Sequence, residues 1–348
     1  MTAYPSTTMV QMQGNEGVSV GPILLVNRLG RRAVMLAAVV LAGVSVAAGT
    51  DKQESALRRN LAWQIALDRL GLSPGLIDGR PGGKTRLASA EFQRVRGLPV
   101  TGELDEATAA ALEIKPDQAI GRYTIQAADL AEIGPVPKTW LAKSKLSHLG
   151  HESLDAVIAE KFHCSVDLLR MLNPGRELNA LKAGEPVIMP MVAQPVPPER
   201  AEWIEVNLAE KVIRAINHHR QLVGLFHCSI AASKTKLPSG QAHVIGVALN
   251  PTYTFDPQMW PEVKENITEK LHIPPGPRNP VGRCWIGLSL PGYGIHGTPN
   301  PELIGKTGSH GCIRLANWDA LRLGQMVEVG TPVHFSDQPD TRIASARW

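Results

Sequence analysis

Five glycines fall within the 22 residues from Gly294 to Leu315, and that stretch limits what the C-terminal part of the chain can become. Glycine in a helix interior costs about 1 kcal/mol relative to alanine. The segment therefore reads as tight turns between short extended pieces. On it stand Gly294-Ile295-His296-Gly297-Thr298 and Thr307-Gly308-Ser309-His310-Gly311-Cys312-Ile313-Arg314-Leu315. A cysteine nucleophile needs a base to take its proton and donors for the oxyanion that forms. His296 is a candidate base, and the N–H groups of Gly311 and Cys312 are candidate oxyanion donors. Arg314 adds a positive charge that would favour a thiolate and could grip a carboxylate. Two other readings use the same residues. A free cysteine is commonly a small buried hydrophobe, but that gives no reason for Ser-His-Gly before it and Ile-Arg after it. A zinc site of His296, His310 and Cys312 lacks a fourth ligand and the paired spacing of structural zinc.

With 348 residues the chain has room for two or three domains. A net charge of +4, without a basic run or interleaved aromatics, lacks the footprint of nucleic-acid binding. Weak attraction to an anionic polymer remains compatible with it. Residues 1–48 read as an N-terminal extension ending in a signal or anchor segment. Arg28, Arg31 and Arg32 precede an apolar run from Ala33 to Ala48, and Val46-Ala47-Ala48 offers cleavage before Gly49. The run is short for a membrane span, which takes about 20 residues. A cleaved signal is therefore favoured over membrane attachment through residues 33–48, and the expected location is the periplasm or cell envelope. Export would put Cys164, Cys228, Cys284 and Cys312 where disulfides can form. A working Cys312 has to stay free. Cys228 and Cys284, in one domain, are the pair a disulfide would join; the reading favoured over it is that Cys164, Cys228 and Cys284 are all reduced and buried.

Residues 56–114 form a first module. Leu61, Ile65, Leu67 and Leu70 recur at helical spacing up to Gly71. A second helix runs from Thr85 to Val95 with Leu87, Ala88, Phe92 and Val95 inward. Asp105 is placed to cap a third helix through Leu112. The glycine turns Gly75-Leu76-Ile77-Asp78-Gly79 and Thr101-Gly102-Glu103-Leu104, with Ala90-Glu91-Phe92-Gln93 and Gly97-Leu98, resemble the peptidoglycan-binding domain 1 family. Arg80-Pro81-Gly82-Gly83 departs from the aromatic turn usual there. Residues 115–150 show no clean period and read as a connecting region with some packed structure.

Residues 151–192 form a second module. One helix is expected from Ser153-Leu154 through Phe162, another from a Ser165 cap to Leu172, and a closing strand over Gly184–Pro190. Ser153-Leu154, Ala159-Glu160-Lys161-Phe162, Leu172-Asn173-Pro174, Leu181, Gly184 and Pro190 resemble a LysM domain, a two-helix, two-strand sugar-binding module. His163 and Cys164 read as packing. Pro195-Val196-Pro197-Pro198 is a stiff linker that sets a boundary near residue 200.

From residue 202 to 336 short alternating segments separated by turns argue for antiparallel strands. They lie at 203–207, 211–215, 224–230, 243–247, 284–288 and 331–335, with a short helix over 319–323. A proline-rich insert from Asn250 to Pro280 reads as a lid or binding loop. The run His296-Gly297-Thr298, Leu303-Ile304-Gly305, Ser309 through Leu315, Asn317 and Asp319 resembles the signature of the L,D-transpeptidase catalytic domain of the YkuD type. The fold class expected is multidomain α+β: a small helical wall-binding module, a LysM-like module and a β-rich catalytic domain.

The resemblance implies that Cys312 is the nucleophile and His296 the base of a cysteine-dependent acyl transfer on peptidoglycan. A D-alanine is expelled, a thioester forms, and an amine from a neighbouring stem peptide resolves it. Water as acceptor would make the enzyme an L,D-carboxypeptidase; attachment of a protein to the wall is a further alternative. His310 is expected to orient the loop or polarise the oxyanion site. Tyr293, Gly297, Ser309, Gly311 and Arg314 are the expected substrate contacts. Asn317 and Asp319 are expected to steady the turn and cap the helix. A backbone carbonyl is expected to hold the second nitrogen of His296. No metal, cofactor or nucleic-acid partner is expected; the partners are stem peptides and glycan strands.

Overall fold

The structure is a computed structural model, and it describes residues 37–192, 198–260, 263–309 and 311–338. The chain divides into two units at Thr50 and Asp51. Of the first unit, helical backbone is described from Ala37 onward. The start of the expected signal segment, the residues before it, and most of the proline linker lie outside the described residues. Among the described residues no helix is long and apolar enough to cross a membrane.

Within residues 51–348 the helical module comes first. It contains the end of helix α1 (Ala37–Arg69), α2 (Gly83–Arg96) and α3 (Glu106–Ala111). Leu61, Leu67, Ala88 and Phe92 are buried as their spacing requires, whereas Leu70 is exposed because the helix is already ending there. Asp105 caps α3, its carboxylate accepting from the Thr108 N–H at 2.7 Å.

The segment that shows no period contributes strand β1 (Ile120–Thr124), α4 (Ala127–Ala131) and α5 (Trp140–Ser144). Helices α6 (Leu154–Lys161) and α7 (Val166–Leu172) and strand β2 (Pro186–Pro190) follow. Ser165 caps α7 through the Leu168 N–H. β1 pairs antiparallel with β2, Ile120 opposite Pro190. The two-stranded unit thus begins some thirty residues before 151, because a strand's partner need not be its neighbour in sequence.

The third part is one eight-stranded sheet. Its strands are β3 (Trp203–Asn207), β4 (Val212–Ile216), β5 (Leu222–His227), β6 (Gln241–Leu249), β9 (Cys284–Leu288), β10 (Gly294–His296), β11 (Ile313–Arg314) and β12 (Pro332–Ser336). Their order is β11-β10-β9-β6-β12-β3-β4-β5. The short strands β7 (Tyr253–Phe255) and β8 (Leu271–Ile273) make a separate hairpin inside the insert. The sheet is not wholly antiparallel: β12 runs parallel to β3, and β11 to β10. A parallel pair needs a crossover, and helix α8 (Asn317–Met326) lies on the connection to β12, packed against β9. Alternation along one strand cannot reveal the direction of its partner.

The three parts share cores. Trp63, Leu67, Leu72 and Phe92 of the helical module form one cluster with Val212, Ile216, Leu222 and Leu225 of the sheet. Ser73 donates to Leu225 O at 2.8 Å, and Leu225 to Gly71 O at 2.9 Å, so the chain after α1 continues the sheet beyond β5. Arg214 is buried among carboxylates, with Nη2 2.6 Å from Glu91 of α2 and 2.6 Å from Glu210. At another seam His163 meets Asp68 at 3.1 Å and stacks on Trp318 of α8. Cys164, Cys228, Cys284 and Cys312 are all free thiols, the first three buried. The Cys228–Cys284 pairing is not formed; both side chains serve as apolar filling of the main core.

Candidate active site

His296 ends β10, a strand held on both sides. Antiparallel β9 sets Trp285 opposite His296, and parallel β11 sets Arg314 opposite it. Its side chain is buried, and the imidazole stacks near Trp285 with ring centroids 5.6 Å apart. Nδ1 lies 2.7 Å from Gly297 O. A carbonyl only accepts, so Nδ1 carries the proton and Nε2 keeps its lone pair. The expected backbone carbonyl is therefore that of Gly297. Burial drives this imidazole down to about 4, the Arg314 charge adding to the shift and the Gly297 carbonyl opposing it. His296 is a neutral acceptor at pH 7.

Cys312 ends the loop between β10 and β11. Its thiol donates to Gly292 O at 3.6 Å. Burial raises this thiol above its ordinary value, against the Gly294 N–H and the Arg314 charge, which both favour the thiolate. Arg314 acts in the direction expected of it, but the lost hydration is the larger effect. At rest the cavity is lined by a neutral thiol and a neutral imidazole.

Ser309 braces the loop. Its N–H donates to Ile230 O at 2.8 Å, its hydroxyl donates to Cys312 O, and it accepts from the Gly311 N–H at 3.2 Å. Gly311 N–H is thus tied to a side chain of its own loop. Arg314 reaches Gly308 O at 2.9 Å and is held in line by two backbone bonds with Ser229. His310 lies outside the described residues.

Cys312, His296, Arg314, Ser309 and Gly311 line one cavity of about 470 Å³. Tyr293 and Gly297 are placed differently. The Tyr293 hydroxyl donates to Lys236 O at 3.0 Å, while Gly292 and Lys236 face the cavity. Gly297 supplies the carbonyl that holds His296, and a Cβ there would sit 2.3 Å from Asn317 Oδ1. Asn317 does not cap α8, whose N-cap is Ala316. It is fully buried, accepts from the Arg283 N–H at 3.2 Å, and donates to Glu160 of α6 at 2.9 Å and to Pro277 O at 3.1 Å. Asp319 likewise accepts from Ser73 at 2.9 Å rather than capping the helix.

The aromatic wall of this cavity escaped the sequence reading. It consists of Trp285, of Tyr253 and Trp260 from the insert, and of Trp140 from α5. Trp285 stood on a strand whose pairing with His296 no periodicity could disclose. Trp140 lay in the segment with no period at all.

A family model for the L,D-transpeptidase catalytic domain matches residues 201–335. A second, described as "Putative peptidoglycan binding domain", matches residues 61–112. A Bacillus licheniformis protein named "Putative L,D-transpeptidase YkuD" is 31% identical over 52% of this chain and 92% of its own length. A Bacillus subtilis protein named "Putative L,D-transpeptidase YqjB" is 33% identical over 43% of this chain and 78% of its own. Among solved structures, an L,D-transpeptidase of Xylanimonas cellulosilytica aligns over 79% of this chain and 92% of that one, at 15% identity and a TM-score of 0.33. That overlap is too loose to add to the sequence match. The fold is α+β with a cysteine-dependent acyltransferase domain. The chain belongs to the YkuD family of L,D-transpeptidases.

Proposed function

We infer that this chain is an exported peptidoglycan L,D-transpeptidase in which Cys312 carries the acyl group. The observation that supports this most is the tautomer of His296: its Nδ1–H is engaged by Gly297 O, and its Nε2 is free to accept a proton inside the cavity that holds Cys312. A stem peptide enters with its diamino acid carbonyl against Sγ. The S–C bond forms as His296 takes the thiol proton, and the oxyanion is met by the Cys312 N–H. The C–N bond then breaks, and His296 returns the proton to the departing D-alanine amine. In the second half an amine of a neighbouring stem attacks the thioester. The new C–N bond forms, the S–C bond breaks, and the amine proton passes through His296 to the sulfur. Arg314 steadies charge at the sulfur and at the substrate.

The helical module and the βααβ unit, read as LysM-like, hold the glycan strand. Residues 33–48 direct export. Full-chain protein mixed with a stem tetrapeptide is expected to gain the mass of the acyl fragment on Cys312, and Cys312→Ala to gain none. An added amine is expected to discharge the adduct faster than water. Modification of the alanine variant to the same extent would remove Cys312 from the mechanism.

A further inference from the structure

Residues 135–150 leave the βααβ unit and return to it. Their ends are pinned where Gly134 donates to His151 O at 2.9 Å and His151 to Glu132 O at 2.8 Å. Between those ends the chain crosses to the catalytic part, and helix α5 lies against the β7–β8 hairpin. The Trp140 indole stacks on Phe255 with ring centroids 4.2 Å apart and planes 16° from parallel. Lys143 Nζ lies 5.0 Å from the same ring. The Glu265 carboxylate, from the loop of the hairpin, accepts from the N–H groups of Trp140 at 2.9 Å and Leu141 at 3.3 Å. On the return leg Leu149 is fully buried, donates to Pro275 O at 2.8 Å and accepts from the Arg278 N–H at 3.1 Å. The approach is close: a Cβ on Gly276 would lie 2.3 Å from Leu149 O.

The hairpin itself has two strands of three residues each. An isolated two-stranded ribbon is marginal in water even when longer. Its apolar side is completed by Trp140, Leu146 and Leu149. The same hairpin and the loop that joins its strands give the Cys312 cavity Tyr253, Thr254, Asp256, Met259 and Trp260, and Trp140 reaches the cavity too.

We propose that residues 135–150 are a strap that sets the β7–β8 hairpin over Cys312, with Trp140 as the positioning residue for the wall against which the acyl donor rests. This rests on the reading of Cys312 as the acylated centre. The strap comes from the βααβ unit, so the donor cavity is a joint product of that unit and the catalytic sheet. A donor loses its wall, not its nucleophile, when the strap is loosened.

The test uses the full chain as wild type, Trp140→Ala, Trp140→Phe and Glu265→Gln. The probe is a synthetic stem tetrapeptide ending in a diamino acid and D-alanine, with Cys312 acylation followed by mass spectrometry over a range of concentrations. Trp140→Ala is expected to raise the half-saturating concentration about tenfold while the saturating rate changes less than about twofold. Trp140→Phe, which keeps a flat ring on Phe255, recovers most of the loss. Alkylation of Cys312 by iodoacetamide, too small to need the wall, proceeds in each variant as in wild type. Should Trp140→Ala not fold, Glu265→Gln keeps the indole, weakens the clamp and must move the half-saturating concentration the same way. Half-saturation within about twofold of wild type in the folded variants, or a loss confined to the saturating rate, overturns the strap while the acyl-enzyme reading stands. A wild type that never acquires the adduct removes both.

Discussion

Burial sets the chemistry of the pair His296 and Cys312 more than charge does. The imidazole is pushed down to about 4 and the thiol is raised, so neither carries charge at neutral pH. For the nucleophile and base proposed above, proton transfer then accompanies attack on the carbonyl, as with a serine nucleophile, and does not precede it in a standing ion pair. The sign of the pH dependence follows. A raised thiol holds less thiolate at a given pH than a free cysteine, and its alkylation rate climbs only above the ordinary thiol range of about 8.5. Iodoacetamide kinetics on Cys312 across pH are expected to show that late rise. A plateau already reached near about pH 6 would mean a thiolate–imidazolium pair, and the neutral ground state would be wrong.

At the scale of elements, the catalytic strand is held from behind. Asn317 opens α8 and joins three pieces of chain: Arg283 before β9, Pro277 in the insert and Glu160 on α6. The same side chain packs against Gly297, whose carbonyl orients His296. Asn317→Ala would leave the buried Arg283 N–H and Glu160 each short of a partner. A loss of about 2 kcal/mol is expected, since a stranded polar group costs about 1–3 kcal/mol. Urea unfolding would register it as a lower midpoint at unchanged slope. A midpoint equal to wild type would show that the bonds to Asn317 stabilise nothing.

In the whole molecule, the parts read as modules on a tether form one compact unit from Asp51 onward. Removing residues 51–114 would strip Leu67, Leu72 and Phe92 from Val212, Ile216, Leu222 and Leu225, leaving those four exposed, and would take Glu91 from Arg214. Leaving a buried Val, Ile or Leu side chain exposed costs about 1.5–3 kcal/mol, so four of them amount to a large share of the roughly 5–15 kcal/mol that holds a domain together. The truncated chain is expected to be unfolded or aggregated by circular dichroism and gel filtration. The full chain is expected to melt in a single transition. A soluble truncation melting within a few degrees of the parent would show that the shared core is dispensable. Deletion is therefore a poor probe of wall binding in this protein.

How much could be read without the fold varies by residue. The glycine-framed run from His296 to Arg314 was legible as a candidate site, because a nucleophile, a base and tight turns require particular residue types at particular spacings. The helices of the first two modules were legible from period and caps, at Asp105 in the first and Ser165 in the second. β1 was not, since its pairing with β2 spans some sixty residues and leaves no local mark. Nor were the parallel pairings of β11 and β12, the roles of Gly297 and Asn317, or the reach of Trp140 across to Phe255. Local chemistry and periodicity are properties of neighbouring residues, and they marked out the candidate reacting groups and the segments that coil. Long-range packing is a property of surfaces brought together by folding. It alone decided which side chains wall the cavity and that the modules share one core.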